Sequence, residues 1–216
     1  ENTDIVIENA RIQSILRGAD PTSDEIIDAS GLYVCPGFID IHTHGGGGGD
    51  FMDASAESFD KALMFHAKNG TTSVVASSVT APVEEIEAMI DMVREYKNKS
   101  NPLCRILGAH IEGPYISVKN RGAQSEKYLR IPSRDSYDFI LNNRDAIIQV
   151  TVSAELDGME KMVRDLTDAG IIVSCGHDCG KKESIMPVIE AGASICTHWY
   201  CAMSTAAVMD GIRSVG

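Results

Sequence analysis

Positive charge is scarce in this chain. Lys and Arg together number 19 against 31 Asp and Glu, a formal net charge of −12. Such a surface repels nucleic acid and anionic membranes, so neither is an expected partner. A small anionic substrate is not excluded, because a few local cations can hold a phosphate inside an acidic protein. Long apolar runs are also missing. No stretch reaches the roughly 18 residues that a membrane helix needs, and residues 1–20 lack a charged-then-apolar leader pattern. Six cysteines are too few for a disulfide scaffold, which predicts reduced thiols in a cytoplasmic protein. What remains is an ordinary globular balance, long enough for one sizeable core.

The apolar residues come in two arrangements. Residues 4–15 read as strand, turn and strand, and 25–37 as a further short strand, so 1–35 form a small β unit. From residue 36 onward, short apolar runs alternate with helix-length amphipathic segments. The runs are 37–42, 72–78, 104–112, 146–154, 171–177 and 193–198. The helices between them are 56–70, 81–99, a segment near 133–142, 157–170 and a segment near 181–191, two of them closed by Gly70 and Gly170. Six near-continuous apolar strands alternating with helices predict a parallel β/α architecture. His42, His44, Glu112, His177 and His198 all fall at or just past the C-terminal ends of runs, four runs in all. A barrel gathers strand ends around one axis, whereas an open sheet spreads them across its width, so the expected fold is a (β/α)8 barrel. With about six strands counted, the barrel is incomplete, and the chain is expected to be the N-terminal part of a longer protein.

The polar residues inside apolar runs carry the chemistry. His42 and His44 are two apart on a strand, so both rings point to one face and can reach one divalent ion. Asp40 and His42 are costly in such a run without partners. In "HIEGPY", His110 and Glu112 share a face by the same period, with His110 readable as ligand, supporting partner or structural residue. "SCGHD" and "CTHWY" end consecutive apolar runs in His177 and His198. One glutamate with two or more histidines suits Zn²⁺ or Fe²⁺ with an open position for water, which is a hydrolytic site. A second metal reading uses sulfur: Cys175, His177 and Cys179 with Cys196, His198 and Cys201 as a closed structural zinc site. His66, inside an amphipathic helix, reads as structural, and Lys119 and Arg121 as either solvated loop or anion contacts. The five glycines at 45–49 lack the Lys-Ser/Thr of a nucleotide-phosphate loop and read as a loose, mobile rim that leaves room at the site.

"PGFIDIHTHG", "HIEGPY", "SCGHD" and "THWYCAM" together resemble the amidohydrolase superfamily and, within it, the N-acetylglucosamine-6-phosphate deacetylase family. That resemblance implies a metal-dependent deacetylase acting on an amino-sugar 6-phosphate, with Glu112, His177 and His198 as main metal ligands and His42 and His44 at a second metal position. It implies a catalytic aspartate beyond Gly216, a small β-sandwich built from both chain termini, and a homodimer. It also implies substrate contacts at Gln124, where the family has a sugar-touching histidine, at Cys201, where it has asparagine, at the backbone of Ala202, and at Arg213 as a phosphate contact. Those departures leave room for a different N-acyl amino sugar or another N-acyl substrate, or for a degenerate non-catalytic homologue. Because the base is expected beyond Gly216, residues 1–216 alone should show little or no turnover. An assay of that purified segment beside the full-length protein checks this, and comparable rates would overturn it.

Overall fold

The computed structural model describes residues 3–18, 25–99, 102–204, 207–209 and 212–214. The chain divides into two compact units, Glu1–Pro36 and Gly37–Gly216. In the first unit, β1 (Asp4–Glu8) and β2 (Arg11–Leu16) pair as an antiparallel hairpin. Asn9 and Ala10 make its turn at φ 51° and 60°, which is the left-handed geometry that two-residue hairpin turns use. The strand expected within 25–37 does not form; these residues are irregular. Ile26, Ile27, Leu32, Tyr33 and Val34 are strand formers by type but are exposed, and strand preference is expressed only against a neighbouring strand or a covering face.

The second unit carries six parallel strands: β3 (Phe38–Thr43), β4 (Thr71–Ser77), β5 (Arg105–Glu112), β6 (Ile147–Val152), β7 (Ile172–Cys175) and β8 (Ile195–Cys196). They lie in one sheet in chain order, each next to its predecessor. Helices α1 (Ala56–Lys68), α2 (Val83–Lys97), α3 (Arg134–Asn142), α4 (Met159–Asp168) and α5 (Lys182–Glu190) alternate with them. Each helix buries the stripe its sequence period dictates. In α1 this is Phe59, Ala62, Leu63 and His66, and in α4 Met159, Met162, Val163 and Leu166. Caps set the starts: Ser55 accepts a hydrogen bond from the Ser58 amide, and Pro82, whose missing N–H costs nothing there, precedes α2.

The sheet is strongly curled. β3 and β8 are at its opposite edges, about 24 Å apart if five strand spacings were laid flat. Yet the His42 ring on β3 and the His198 ring just after β8 have centroids 5.0 Å apart. Six strands curled until their C-terminal ends converge make an incomplete TIM-type barrel. Small polar side chains face its interior rather than aliphatic ones alone. His110 Nε2, Thr151 Oγ1, Thr197 Oγ1 and Ser174 Oγ form a buried chain with links of 2.7, 2.8 and 2.7 Å.

The outer layer is tied by charge. Asp165 on α4 accepts from Tyr137 Oη of α3 at 2.7 Å, and from Arg134 and Lys161 at 3.0 and 2.9 Å. Lys161, Tyr137 and Arg134 hold its carboxyl down at about 2. The stabilisation is therefore present above the unfolded-chain value of about 3.9 and lost as pH falls through about 2. Asp165→Asn should cost about 1–2 kcal/mol at neutral pH and shrink the acid-induced loss of stability. Urea unfolding at pH 7 and at pH 2–3 measures both; equal losses of stability in parent and variant would refute the linkage.

Candidate metal centre

Glu112 ends β5 with its side chain 1% exposed. A carboxylate that deep is untenable without compensation, and four imidazoles from three strand ends supply it. His177 Nε2 and His198 Nε2 lie 3.2 and 3.0 Å from Oε1, His42 Nε2 lies 3.3 Å from Oε1, and His44 Nε2 lies 3.2 Å from Oε2. Burial alone would push the Glu112 carboxyl up. The close approach of the His177, His42 and His44 rings outweighs it and holds the group well below the usual carboxylate range.

Local backbone aims these side chains. His42 and His44 share a face by strand alternation. His177 and His198 each sit at a left-handed φ, 53° and 55°, just past β7 and β8. Such conformations cost roughly 1–3 kcal/mol each and persist where the surroundings fix them, here at two of the four rings around Glu112. Gly113 follows Glu112 at φ +83°, and a Cβ there would lie 2.1 Å from Thr80 Oγ1, so only glycine fits that turn.

The far side of two rings settles which nitrogen is free. His44 Nδ1 lies 3.2 Å from the Ser77 carbonyl oxygen, and His177 Nδ1 lies 2.8 Å from that of Asn120. A carbonyl only accepts, so each Nδ1 carries its proton, and each neutral ring aims a bare Nε2 lone pair at Glu112. Lone pairs facing a carboxylate repel unless the rings are protonated or a cation lies between. Charging all four rings around one carboxylate would leave a crowded excess of like charge. A divalent cation resolves the conflict. Two ligand atoms about 2.0–2.1 Å from a tetrahedral ion are about 3.3 Å apart, which is the spacing seen from Glu112 to the imidazoles. His42 Nε2, buried and without a hydrogen-bond partner, fits the same account. Among the described residues, two groups meet the spacing of a metal site: His42, His44 and Glu112, and Glu112, His177 and His198.

His110, left open between ligand and support by its position, has both nitrogens engaged. Nδ1 is 2.9 Å from Ser77 Oγ and Nε2 is 2.7 Å from Thr151 Oγ1. Burial pushes its pKa down to about 3, so it is a neutral strut beneath His42. The sulfur alternative is not assembled: among the described residues, neither candidate metal group contains a cysteine. Cys175 is buried, its thiol pushed up to about 12 by burial, while Cys196 and Cys201 are exposed.

The residues implied for substrate fall in three places. Gln124 is 6% exposed, with its Nε2 donating to Glu112 Oε2 at 2.9 Å and its Oε1 accepting from the Thr80 amide at 2.6 Å. The amides of Cys201 and Ala202 donate to the His198 carbonyl, closing the turn that follows it. Arg213 lies on the strand Ile212–Ser214, and its side chain is outside the described residues. Arg121 donates from Nη1 to the carbonyls of Gly122 and Gln124 and pairs with Glu126 at 3.5 Å, so it braces its own loop.

The glycine run is not a loose rim. Gly45–Gly46 pairs with Gly49–Asp50 as a small antiparallel ladder packed on α1. A Cβ on Gly49 would lie 2.2 Å from the Ser58 carbonyl oxygen, and one on Gly46 would lie 2.7 Å from the Phe65 ring. The glycines permit close packing rather than mobility, and buried His66 bridges them to the metal strand through Thr43 Oγ1 and the Gly45 carbonyl, both at 3.2 Å. The supporting partners Ser77, Asn120, Thr151 and Thr197 had one sequence signal. Three of them are hydroxyl residues at or beside the ends of otherwise apolar runs. Asn120 had none.

Comparison with known proteins agrees with this geometry. The amidohydrolase family model matches residues 33–213. The N-acetylglucosamine-6-phosphate deacetylase of Haemophilus influenzae is 34% identical over 202 residues, covering 93% of this chain and 52% of that protein. The crystal structure of N-acetylglucosamine-6-phosphate deacetylase from Pasteurella multocida superposes with a TM-score of 0.89 at 32% identity, covering 99% of this chain and 55% of that one. An aspartate-to-alanine mutant of the Mycobacterium smegmatis enzyme, solved with N-acetyl-D-glucosamine-6-phosphate, superposes at 0.79 with 29% identity over 91% of this chain and 51% of that one. The chain thus spans about half the length of the curated relatives it matches. On the extent of the family match and on this His/Glu geometry, the chain belongs to the amidohydrolase family.

Proposed function

We propose that this chain carries the metal centre of a deacetylase acting on an N-acetyl amino-sugar 6-phosphate, with N-acetylglucosamine 6-phosphate as the substrate. The observation that carries the reading is the convergence of His42, His44, His177 and His198 on the buried Glu112. Glu112, His177 and His198 would hold the principal ion, Zn²⁺ or Fe²⁺, and His42 and His44 with Glu112 a second. Bound there, the ion polarises the acetamide carbonyl and lowers the pKa of a water molecule, the standard contribution of a metal to amide hydrolysis.

The chain's own residues do the rest. Asn120 and Ser77 carbonyls keep the Nδ1 protons of His177 and His44, so Nε2 faces inward. Buried, neutral His110 packs edge-on against His42 at 4.6 Å and restricts its ring. The general base in this reading is the aspartate expected beyond residue 216. Relatives act on an amino-sugar phosphate by name, and a homodimer and a cytoplasmic setting go with the same reading. No described helix is long and apolar enough to cross a membrane.

A second reading is a related N-acyl amino sugar. It is favoured by Gln124, whose amide is engaged with Thr80 and Glu112 at the position where the family has a sugar-touching histidine.

Two measurements bear on the proposal. Removing a ligand should remove the metal. Glu112→Gln or His177→Ala should weaken Zn²⁺ binding at least about 100-fold, beyond the usual cost of losing an outer partner. Metal analysis after dialysis checks this, and unchanged stoichiometry would sink the assignment. The full-length protein should hydrolyse N-acetylglucosamine 6-phosphate with a kcat/KM at least about tenfold above that for the unphosphorylated sugar, the order of one charge-assisted phosphate contact. Equal values would refute phosphate recognition.

A further inference from the structure

We propose that Gln124 is a positioning residue for the metal centre: its side-chain amide clamps Glu112 to the backbone at Thr80 and so sets the plane in which the carboxylate meets the ion. The inference rests on the metal-centre reading above and adds a role to a residue outside both candidate ligand groups.

The geometry is a two-ended bridge. Oε1 of Gln124 accepts from the Thr80 amide at 2.6 Å, and Nε2 donates to Glu112 Oε2 at 2.9 Å. The whole side chain is 6% exposed. Its loop is itself braced, since the Gln124 amide donates to the Arg121 carbonyl at 3.1 Å and Arg121 Nη1 donates to the Gln124 carbonyl at 3.0 Å. Rigid support at one end lets the other end act as a stop.

The need for a stop follows from the terminal torsion of glutamate, which is broad and roughly two-fold. The carboxylate sits between two candidate metal groups, with Oε1 facing His42, His177 and His198 and Oε2 facing His44. A ring that gives its Nε2 lone pair to a cation has no proton there to donate to Glu112. Gln124 Nε2 has no such alternative, because an amide N–H is not a metal ligand. Among the described side chains that bond Glu112, it is the one donor that is not an imidazole. It therefore keeps one Oε2 lone pair engaged and holds the plane when the ion is bound. Its acceptor end, fixed on a backbone N–H, polarises the amide and strengthens the donor end. With both ends committed, this glutamine acts on the substrate only through Glu112.

The test is Zn²⁺ affinity of the metal-stripped protein by competition with a chelator, with Co²⁺ absorption at saturation as a second readout. Gln124→Met keeps the volume and removes the donor. Gln124→Asn keeps an amide one methylene too short to span Thr80 and Glu112. Both should bind Zn²⁺ about 10–100-fold more weakly than the parent, the usual cost of losing an outer-shell partner, and both should shift the Co²⁺ spectrum, which a remote packing defect would leave alone. Parent-like affinity and spectrum in either folded variant would overturn the clamp while leaving the metal centre standing. A parent chain that takes up neither ion would overturn both.

Discussion

Everything at the C-terminal face of this sheet answers to one fact: a carboxylate, Glu112, is 1% exposed inside a protein. An ionised carboxylate in that position requires opposite charge and directed hydrogen bonds, or it takes up a proton. Four histidines and a glutamine surround it. They arrive from three strand ends and one loop, since one strand offers only alternate residues to a face. The curl of the sheet is what makes that arrival geometrically feasible.

The constraint propagates outward. Rings that face a cation need their second nitrogens held, which places the Ser77 and Asn120 carbonyls behind His44 and His177. His110, packed below His42, must be neutral and satisfied, which calls for hydroxyls at Ser77 and Thr151 where a barrel interior would otherwise be aliphatic. Two histidines adopt left-handed backbone, a strain borne by the surrounding βα framework. The glycine run is part of the same framework. Its missing side chains let the first loop lie flat on α1, so the strand carrying His42 is anchored at its exit by Thr43 and His66.

Much of this was legible beforehand, for reasons that can be named. The βα alternation is written as short apolar runs between amphipathic segments of period 3.6, a pattern that depends on local geometry alone. The five residues of the site were legible because a charged or imidazole side chain at the end of an apolar run has few inexpensive explanations. The strand expected within 25–37 failed because strand propensity is a statement about neighbours, and these side chains have none covering them. The glycine loop was misread because glycine serves equally for freedom and for close approach, and only the position of the Ser58 carbonyl distinguishes the two.

The amino-acid sequence by itself determined the order of strands and helices, the faces they bury, and the set of side chains able to bind a metal, because each of these follows from spacing along one chain. The tertiary structure alone decided which nitrogen each imidazole presents, that His110 supports rather than ligates, that the cysteines stand apart from the metal groups, and that Gln124, 12 positions further along the chain, reaches back to Glu112. Those outcomes depend on carbonyls and hydroxyls contributed by other strands. Their positions are set by the curvature of the sheet, a property no single segment encodes.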